Sequence, residues 1–325
     1  ITTGLHPSDL ELSVDQRTLY VANANSDTVS IIDTKSRRVV ESVLVRPDPT
    51  LPFGSAPNAL TLDQDGKTLL VANGGNNAVA VVALAAKSKL EGFIPTAWYP
   101  GALTTDGHFL FVANVKGLGS RQPGEGGQGW NSRRYLGTVS KIKIPTAPEL
   151  QEYTRQAKTD ARVPQILRAW ERSDSRKKPV PVPRRLGEPS VFEHVVYIIK
   201  ENRTYDQVFG DLPQGNADPA LCVFGREVTP NHHAVAEQFA LLDNYYCNGV
   251  LSADGHAWAT EGYVTDYLEK SFGGFTRSYP FAGDDPLSYS ATGFIWDNLL
   301  LHGLSFRNYG EMSTTAVLPK EADWL

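Results

Sequence analysis

The strings LYVAN at 19–23, LLVAN at 69–73 and LFVAN at 110–114 recur at intervals of 50 and 41 residues. Internal repetition at such a period narrows the possible folds more than any other feature of a chain. Each string follows a Pro-led strand and turn, HPSDLELSVDQRT, APNALTLDQDGKT and YPGALTTDGHF, and precedes a second alternating segment, TVSIID, AVAVVAL and TVSKIKI. Period-two alternation punctuated by Gly, Asn and Asp turns predicts one small antiparallel sheet per repeat, the unit of a β-propeller. Residues 1–145 are therefore expected to form three adjacent four-stranded blades, with the LYVAN-type strings as inner or middle strands. Three blades do not close a ring, since propellers use four or more. The remaining blades are expected from residues outside this sequence or from a further chain.

The repeat asparagines Asn23, Asn73 and Asn114 read either as ligand-binding groups or as strand-end residues that satisfy the backbone of their own turns, and turn chemistry favours the second. The YVAN-like units resemble the YVTN repeat family of propellers, which implies a bacterial cell-surface or secreted protein. The third repeat carries an insertion, KGLGSRQPGEGGQGWNSRRYLG at 116–137. It lacks the GK[ST] ending and strand-to-helix context of a phosphate loop, so it reads as a long surface loop. Trp130, Arg133 and Arg134 give that loop the means to cover an anionic site.

From Thr146 the pattern changes to a helical spacing interrupted by Pro164, and then to SRKKPVPVPRRLGEP. Prolines at 179, 181 and 183 impose an extended strap. Residues 146–189 are thus expected to be a connector, and its basic cluster Arg176, Lys177, Lys178, Arg184 and Arg185 a solvated linker. Beyond residue 190 strand and helix signals alternate. The β-branched run Val195–Ile199, ended by Lys200, Glu201 and Asn202, reads as a buried strand of a mainly parallel sheet, and such sheets bind ligands at the carboxyl ends of their strands. TYDQVFGD is expected to form a helix or tight loop, HAVAEQFAL at 233–241 a helix, and AWATEGYVTDYLEKSF and SATGFIWDNLLLHG further helices, before a strand over SFRNYG. This alternation predicts an α/β sandwich over 190–325.

The string ENRTYDQVFG, followed by LLDNYYCNGVLSADGHAWAT at 241–260, resembles the phosphoesterase family that includes bacterial phospholipases C and an acid phosphatase, within the alkaline-phosphatase-like superfamily. The resemblance covers roughly residues 190–310. It implies an alkaline-phosphatase-like α/β domain, present in part, in which Glu201 and Asn202 help bind a divalent metal and Ser252 is a metal-bound nucleophile. An anionic and a neutral oxygen side by side suit such a cation, with Zn, Ca, Mg and Mn all admissible. Gly255 stands where the family usually has an Asn three residues after the nucleophile, with His256 beside it. His256 reads equally as a zinc or phosphate ligand and as a helix-surface histidine, and Asp254 lies close enough to contribute. The family's further ligands come from later Asp-Asp and His motifs. The only such pair here, Asp284-Asp285, fits a turn better, and His232-His233 reads as a solvated N-terminal turn. The fragment is accordingly expected to carry half of the metal site.

With 31 Lys and Arg against 36 Asp and Glu, no long-range field favours nucleic acid or an anionic membrane. No run approaches the roughly 18 apolar residues of a membrane span. Cys222 and Cys247, 25 residues apart, read either as one disulfide or as two thiols. The chain opens at Ile1 without a signal-peptide pattern and reads as a processed or truncated segment. By resemblance the protein is extracytoplasmic, periplasmic, secreted or surface-bound, and acts on a phosphoester small molecule or a phospholipid headgroup. The alternative is an extracellular binding protein whose phosphoesterase-like domain is inactive.

Overall fold

The second and third repeats open with turns closed by an Asp carboxylate, and the first with Ser13, whose Oγ accepts from Thr18 N at 2.9 Å. Asp63 Oδ1 accepts from the backbone N–H groups of Lys67 and Thr68 at 2.8 and 2.9 Å. Asp106 Oδ1 does the same for His108 and Phe109 at 2.8 and 2.7 Å. These turns bring β1 (Pro7–Leu12) antiparallel to β2 (Thr18–Asn23), β5 (Pro57–Leu62) to β6 (Thr68–Asn73), and β9 (Trp98–Thr105) to β10 (Phe109–Gly117). β3 (Thr28–Asp33), β4 (Arg38–Leu44), β7 (Ala78–Ala83), β8 (Lys89–Pro95) and β11 (Thr138–Lys143) follow outward. The computed structural model describes residues 1–117, 136–171, 174–271 and 286–312.

The sheets are meanders of order β1-β2-β3-β4, β5-β6-β7-β8 and β9-β10-β11. The first strands of successive sheets touch one another. Leu60 N donates to Asp9 Oδ2 at 2.7 Å, Ser8 Oγ to the Pro57 carbonyl at 2.9 Å, and Asn58 Nδ2 to the Pro100 carbonyl at 3.0 Å. This is blade geometry, with the LYVAN-type strings as second strands. The third sheet has three strands among the described residues, one fewer than expected. After Lys143 the chain meets Pro145 and a helix-starting box in which Thr146 N donates to Glu149 Oε2 at 2.7 Å. Such a box starts a helix rather than a fourth strand.

Alternate residues of β6 face opposite sides, so the second blade is buried on both. Leu69 and Val71 join Tyr20, Val29, Ile31 and Val43 of the first blade. Leu70 joins Leu110 and Val112 of the third. Helix α1 (Ala147–Asp160) closes over β8, where Thr154 Oγ1 accepts from Phe93 N at 2.9 Å. Gly92 permits that approach, because a Cβ there would lie 2.3 Å from Thr154 Oγ1. Helix α2 (Val163–Ala169) follows, with Pro164 in its first turn, where proline is tolerated. In the strap, Arg176 pairs with Asp174, Lys177 with Glu188 and Arg185 with Glu171.

The chain divides into two compact units, residues 192–248 forming one and the flanking described residues the other. The expected single α/β domain over 190–325 is therefore divided between them. Within 192–248 lie α3 (Tyr205–Phe209) and α4 (Pro230–Gln238), as the helical spacing indicates. His233 is fully buried there, its Nε2 2.7 Å from Asp211 Oδ1 and its Nδ1 2.8 Å from the Thr229 carbonyl. The reading of His233 as part of a solvated turn is thus corrected. Val195–Ile199 forms no strand, and Val195, Val196 and Ile198 are 83, 84 and 74 % exposed. A buried parallel strand needs a hydrogen-bonding strand beside it, and none is present among the described residues of 192–248. SFRNYG likewise forms no strand. Cys222 and Cys247 are both free thiols.

The unit that holds the blades also contains α5 (Ser252–Thr260), α6 (Asp266–Lys270) and α7 (Ile295–Leu301). Where the spacing predicts one helix, α5 and α6 are two. Gly262, with a left-handed φ of 66°, sits between them and turns the chain.

Replacing Gly92 by Ala is expected to lower unfolding stability by about 1–3 kcal/mol through overpacking against Thr154. Chemical denaturation checks this, and an unchanged midpoint contradicts the tight α1–β8 contact.

Candidate functional site

The sequence-predicted residues fall into two groups. Glu201 and Asn202 lie exposed just ahead of α3, in the 192–248 unit. Thr204 N donates to Gln207 Oε1 at 3.1 Å to start that helix. Ser252, Asp254 and His256 lie together on α5 in the other unit. Ser252 is the first helical residue, half-buried, where backbone N–H groups lack intrahelical partners. Asp254 is fully buried, and its Oδ2 accepts from Val250 N at 3.3 Å, which gives it a helix-starting role. His256 Nδ1 lies 2.7 Å from Glu311 Oε1, so a carboxylate holds its ring in one orientation.

Glu201, Asn202 and Ser252 are hard oxygen donors of the kind a divalent cation takes. Among the described residues no group of three or more His, Cys, Asp or Glu side chains is placed to hold a metal ion. Asp284, Asp285, Trp130, Arg133 and Arg134 lie outside the described residues.

The repeat asparagines are structural clamps. Asn23 Nδ2 donates to Thr28 Oγ1 and Ser30 Oγ at 3.1 and 3.0 Å, and Asn114 Nδ2 to Ser140 Oγ at 2.9 Å. In the second repeat TVS is replaced by AVA, and Asn73 Nδ2 turns instead to the Val45 carbonyl at 2.6 Å.

Sequence reasoning missed a buried polar cluster where the first strands of the blades begin. The residues before the repeat prolines Pro7, Pro57 and Pro100, which are His6, Ala56 and Tyr99, have φ of 54°, 48° and 59°. Left-handed backbone at such residues is strained and persists only where its surroundings impose it. At Ala56 and Tyr99 it is imposed by Asp27 and Asn77, which are equivalent in the repeat. Asp27 Oδ1 accepts from Ala56 N at 3.3 Å, and Asn77 Oδ1 from Tyr99 N at 2.9 Å. Asp27 also accepts from Gly54 N, Ser55 N and Arg46 Nε at 3.0, 2.8 and 2.8 Å.

The segment 263–270 lies on this end of the blades. Tyr99 OH donates to Asp266 Oδ1 at 3.1 Å, and Lys270 Nζ donates to the Asn58 carbonyl at 2.6 Å and lies 3.4 Å from Asp266 Oδ2. The Tyr263 ring lies tilted against Phe53, centroids 4.7 Å apart, with its OH 3.3 Å from Asn25 Oδ1. Lys116 Nζ meets Glu269 Oε2 at 2.6 Å, both side chains shut from solvent, and lies 4.8 Å from the Trp98 ring centroid. Burial pushes the Asp266 carboxyl above the usual range, while Lys270 and Tyr99 oppose it. Burial, then the Asp266 charge, holds the Tyr99 phenol well above its ordinary value. Burial lowers His6, with Asp266 opposing.

No helix among the described residues is long and apolar enough to cross a membrane. No protein-family model matches the sequence, and no curated protein matches it. Among solved structures, hydrazine synthase of Kuenenia stuttgartiensis is similar at 26% identity and a TM-score of 0.30, over 35% of this chain and 31% of that one. A protein from Lactobacillus plantarum is similar at 26% identity and a TM-score of 0.32, over 35% and 36%. A proposed 6-phosphogluconolactonase from Bacteroides fragilis is similar at 18% identity and a TM-score of 0.32, over 44% and 41%. The similarity thus spans about a third to two fifths of the length of these structures.

Glu261 ends α5, and burial pushes its carboxyl up to about 8 from an ordinary 4.5. A carboxyl raised in the fold contributes stability fully present below its unfolded pKa and lost as pH rises through its folded one. Glu261→Gln is therefore expected to match wild type near pH 4.5 and to exceed it above pH 8 by a few kcal/mol, on the order of 1.4 kcal/mol for each tenfold change in proton affinity. Thermal unfolding across that range checks this, and a pH-independent difference contradicts it.

Proposed function

We propose that this chain belongs to a metal-dependent phosphoester hydrolase in which Ser252 is the nucleophile and a YVTN-type propeller is joined to an alkaline-phosphatase-like domain. The observation that carries the reading is the pair of strings ENRTYDQVFG and LLDNYYCNGVLSADGHAWAT, with Ser252 opening a nine-residue helix. At that position the backbone N–H groups of the first turn are directed toward phosphoryl oxygens of an incoming ester. Ser252 Oγ attacks phosphorus in line, the P–O bond to the leaving group breaks, and the leaving oxygen takes the electron pair and a proton. Water then cleaves the phosphoserine, releasing phosphate from a monoester substrate or a phosphomonoester from a diester, and restoring the hydroxyl. A divalent cation, when bound, supplies positive charge against the charge that develops on the phosphoryl oxygens. Glu201 and Asn202 would hold it, together with ligands beyond the described residues. Asp254 keeps the first turn of α5 in place, and Glu311 orients the His256 ring. The substrate class is a phosphoester small molecule or a phospholipid headgroup, and the compartment is extracytoplasmic.

The test is release of the aryl alcohol from aryl phosphate monoesters and diesters, with and without a chelator. Ser252→Ala is expected to lose turnover by at least about 1,000-fold while metal binding persists. Glu201→Ala is expected to weaken metal affinity, with activity partly restored by excess metal. Full activity in Ser252→Ala sinks the nucleophile assignment, and indifference to a strong chelator sinks the metal mechanism.

A further inference from the structure

The blades meet α6 through side chains that lie far from α5 in sequence, yet α6 is itself packed against α5. Ala257 of α5 is buried with Val264 and Leu268, and Trp258 and Tyr267 lie against them. Thr265 Oγ1 accepts from Leu268 N at 3.5 Å and so fixes the start of α6. On the other side, α6 presents Asp266 to Tyr99, Glu269 to Lys116 and Lys270 to the Asn58 carbonyl. Three such contacts on a five-residue helix leave it one orientation. Tyr99 adds a fixed direction of its own, since its left-handed backbone is clamped by Asn77.

We infer that the strand-opening end of the blades is a positioning frame for the Ser252 helix. Tyr99 and Lys116 hold α6, α6 holds α5, and the first turn of α5 is thereby held in place. Tyr99, Lys116 and Asp266 are positioning residues in this scheme and touch no substrate. The inference rests on the proposed role of Ser252 for its consequence in turnover, but the mechanical coupling stands apart from it.

Hydrogen exchange of the intact protein tests the coupling. Tyr99→Phe removes one buried hydrogen bond and leaves the ring, so the fold is retained. Exchange at residues 254–260 is expected to rise about tenfold while that of β6 and β7 is unchanged. Asp266→Asn keeps an acceptor for the phenol and is expected to retain protection of 254–260, whereas Asp266→Ala loses it. In hydrolysis of aryl phosphoesters, Tyr99→Phe is expected to lower kcat about tenfold with KM unchanged, and Asp266→Asn to retain kcat. Unchanged exchange at 254–260 in both Tyr99→Phe and Asp266→Ala overturns the inference, as does a uniform rise that includes β6 and β7. If wild type hydrolyses neither aryl monoesters nor aryl diesters, the hydrolase reading fails while the exchange results still decide the coupling.

Discussion

The ion pair of Lys116 with Glu269 is the constraint from which the arrangement of the blades and α6 follows. Its N–O separation is 2.6 Å and neither side chain reaches solvent. A buried charge left alone costs several kcal/mol, so each partner requires the other in place. Lys116 comes from β10, beside the Trp98 ring, and Glu269 from α6. The pair therefore joins the third blade to a helix 153 positions later in the sequence. The surrounding contacts, Tyr99 with Asp266 and Lys270 with the Asn58 carbonyl, are weaker and directional. They set the orientation that the ion pair makes obligatory.

The repeat prepares this end of the blades. Asp27 and Asn77 occupy the same place in successive repeats, and each bonds the backbone of the residue before the next repeat proline. The left-handed conformations at Ala56 and Tyr99 follow from those bonds. One repeat position thus became Ala56, which is buried without polar chemistry, while its counterpart became Tyr99, which reaches Asp266.

The blades were legible because their signals are local. Alternating residues, Asp-containing turns and the LYVAN-type strings each act over a short stretch of chain, and β2, β6 and β10 lie on those strings. The Asn clamps were legible too, and TVS against AVA explains why Asn73 bonds elsewhere than Asn23 and Asn114. Among the described residues the third sheet ends at its third strand, and Pro145, Thr146 and Glu149 carry the helix-start signal that follows it. Tyr99–Asp266 and Lys116–Glu269 were invisible because nothing in composition or periodicity couples residues so far apart. The β-branched run Val195–Ile199 has strand propensity, but propensity does not supply the neighbouring strand that burial requires. Of the candidate site, helix α5 brings Ser252, Asp254 and His256 together, and Glu311 escaped notice for want of any local signal.

A double-mutant cycle on Lys116→Met and Glu269→Met decides whether β10 and α6 are bound to one another by this pair. Each single variant is expected to lose about 3–5 kcal/mol, because it strands a buried charge, and the double variant far less than the sum. Losses that simply add would contradict the coupling, since Lys116 and Glu269 would then be held independently and the blades would place no demand on α6.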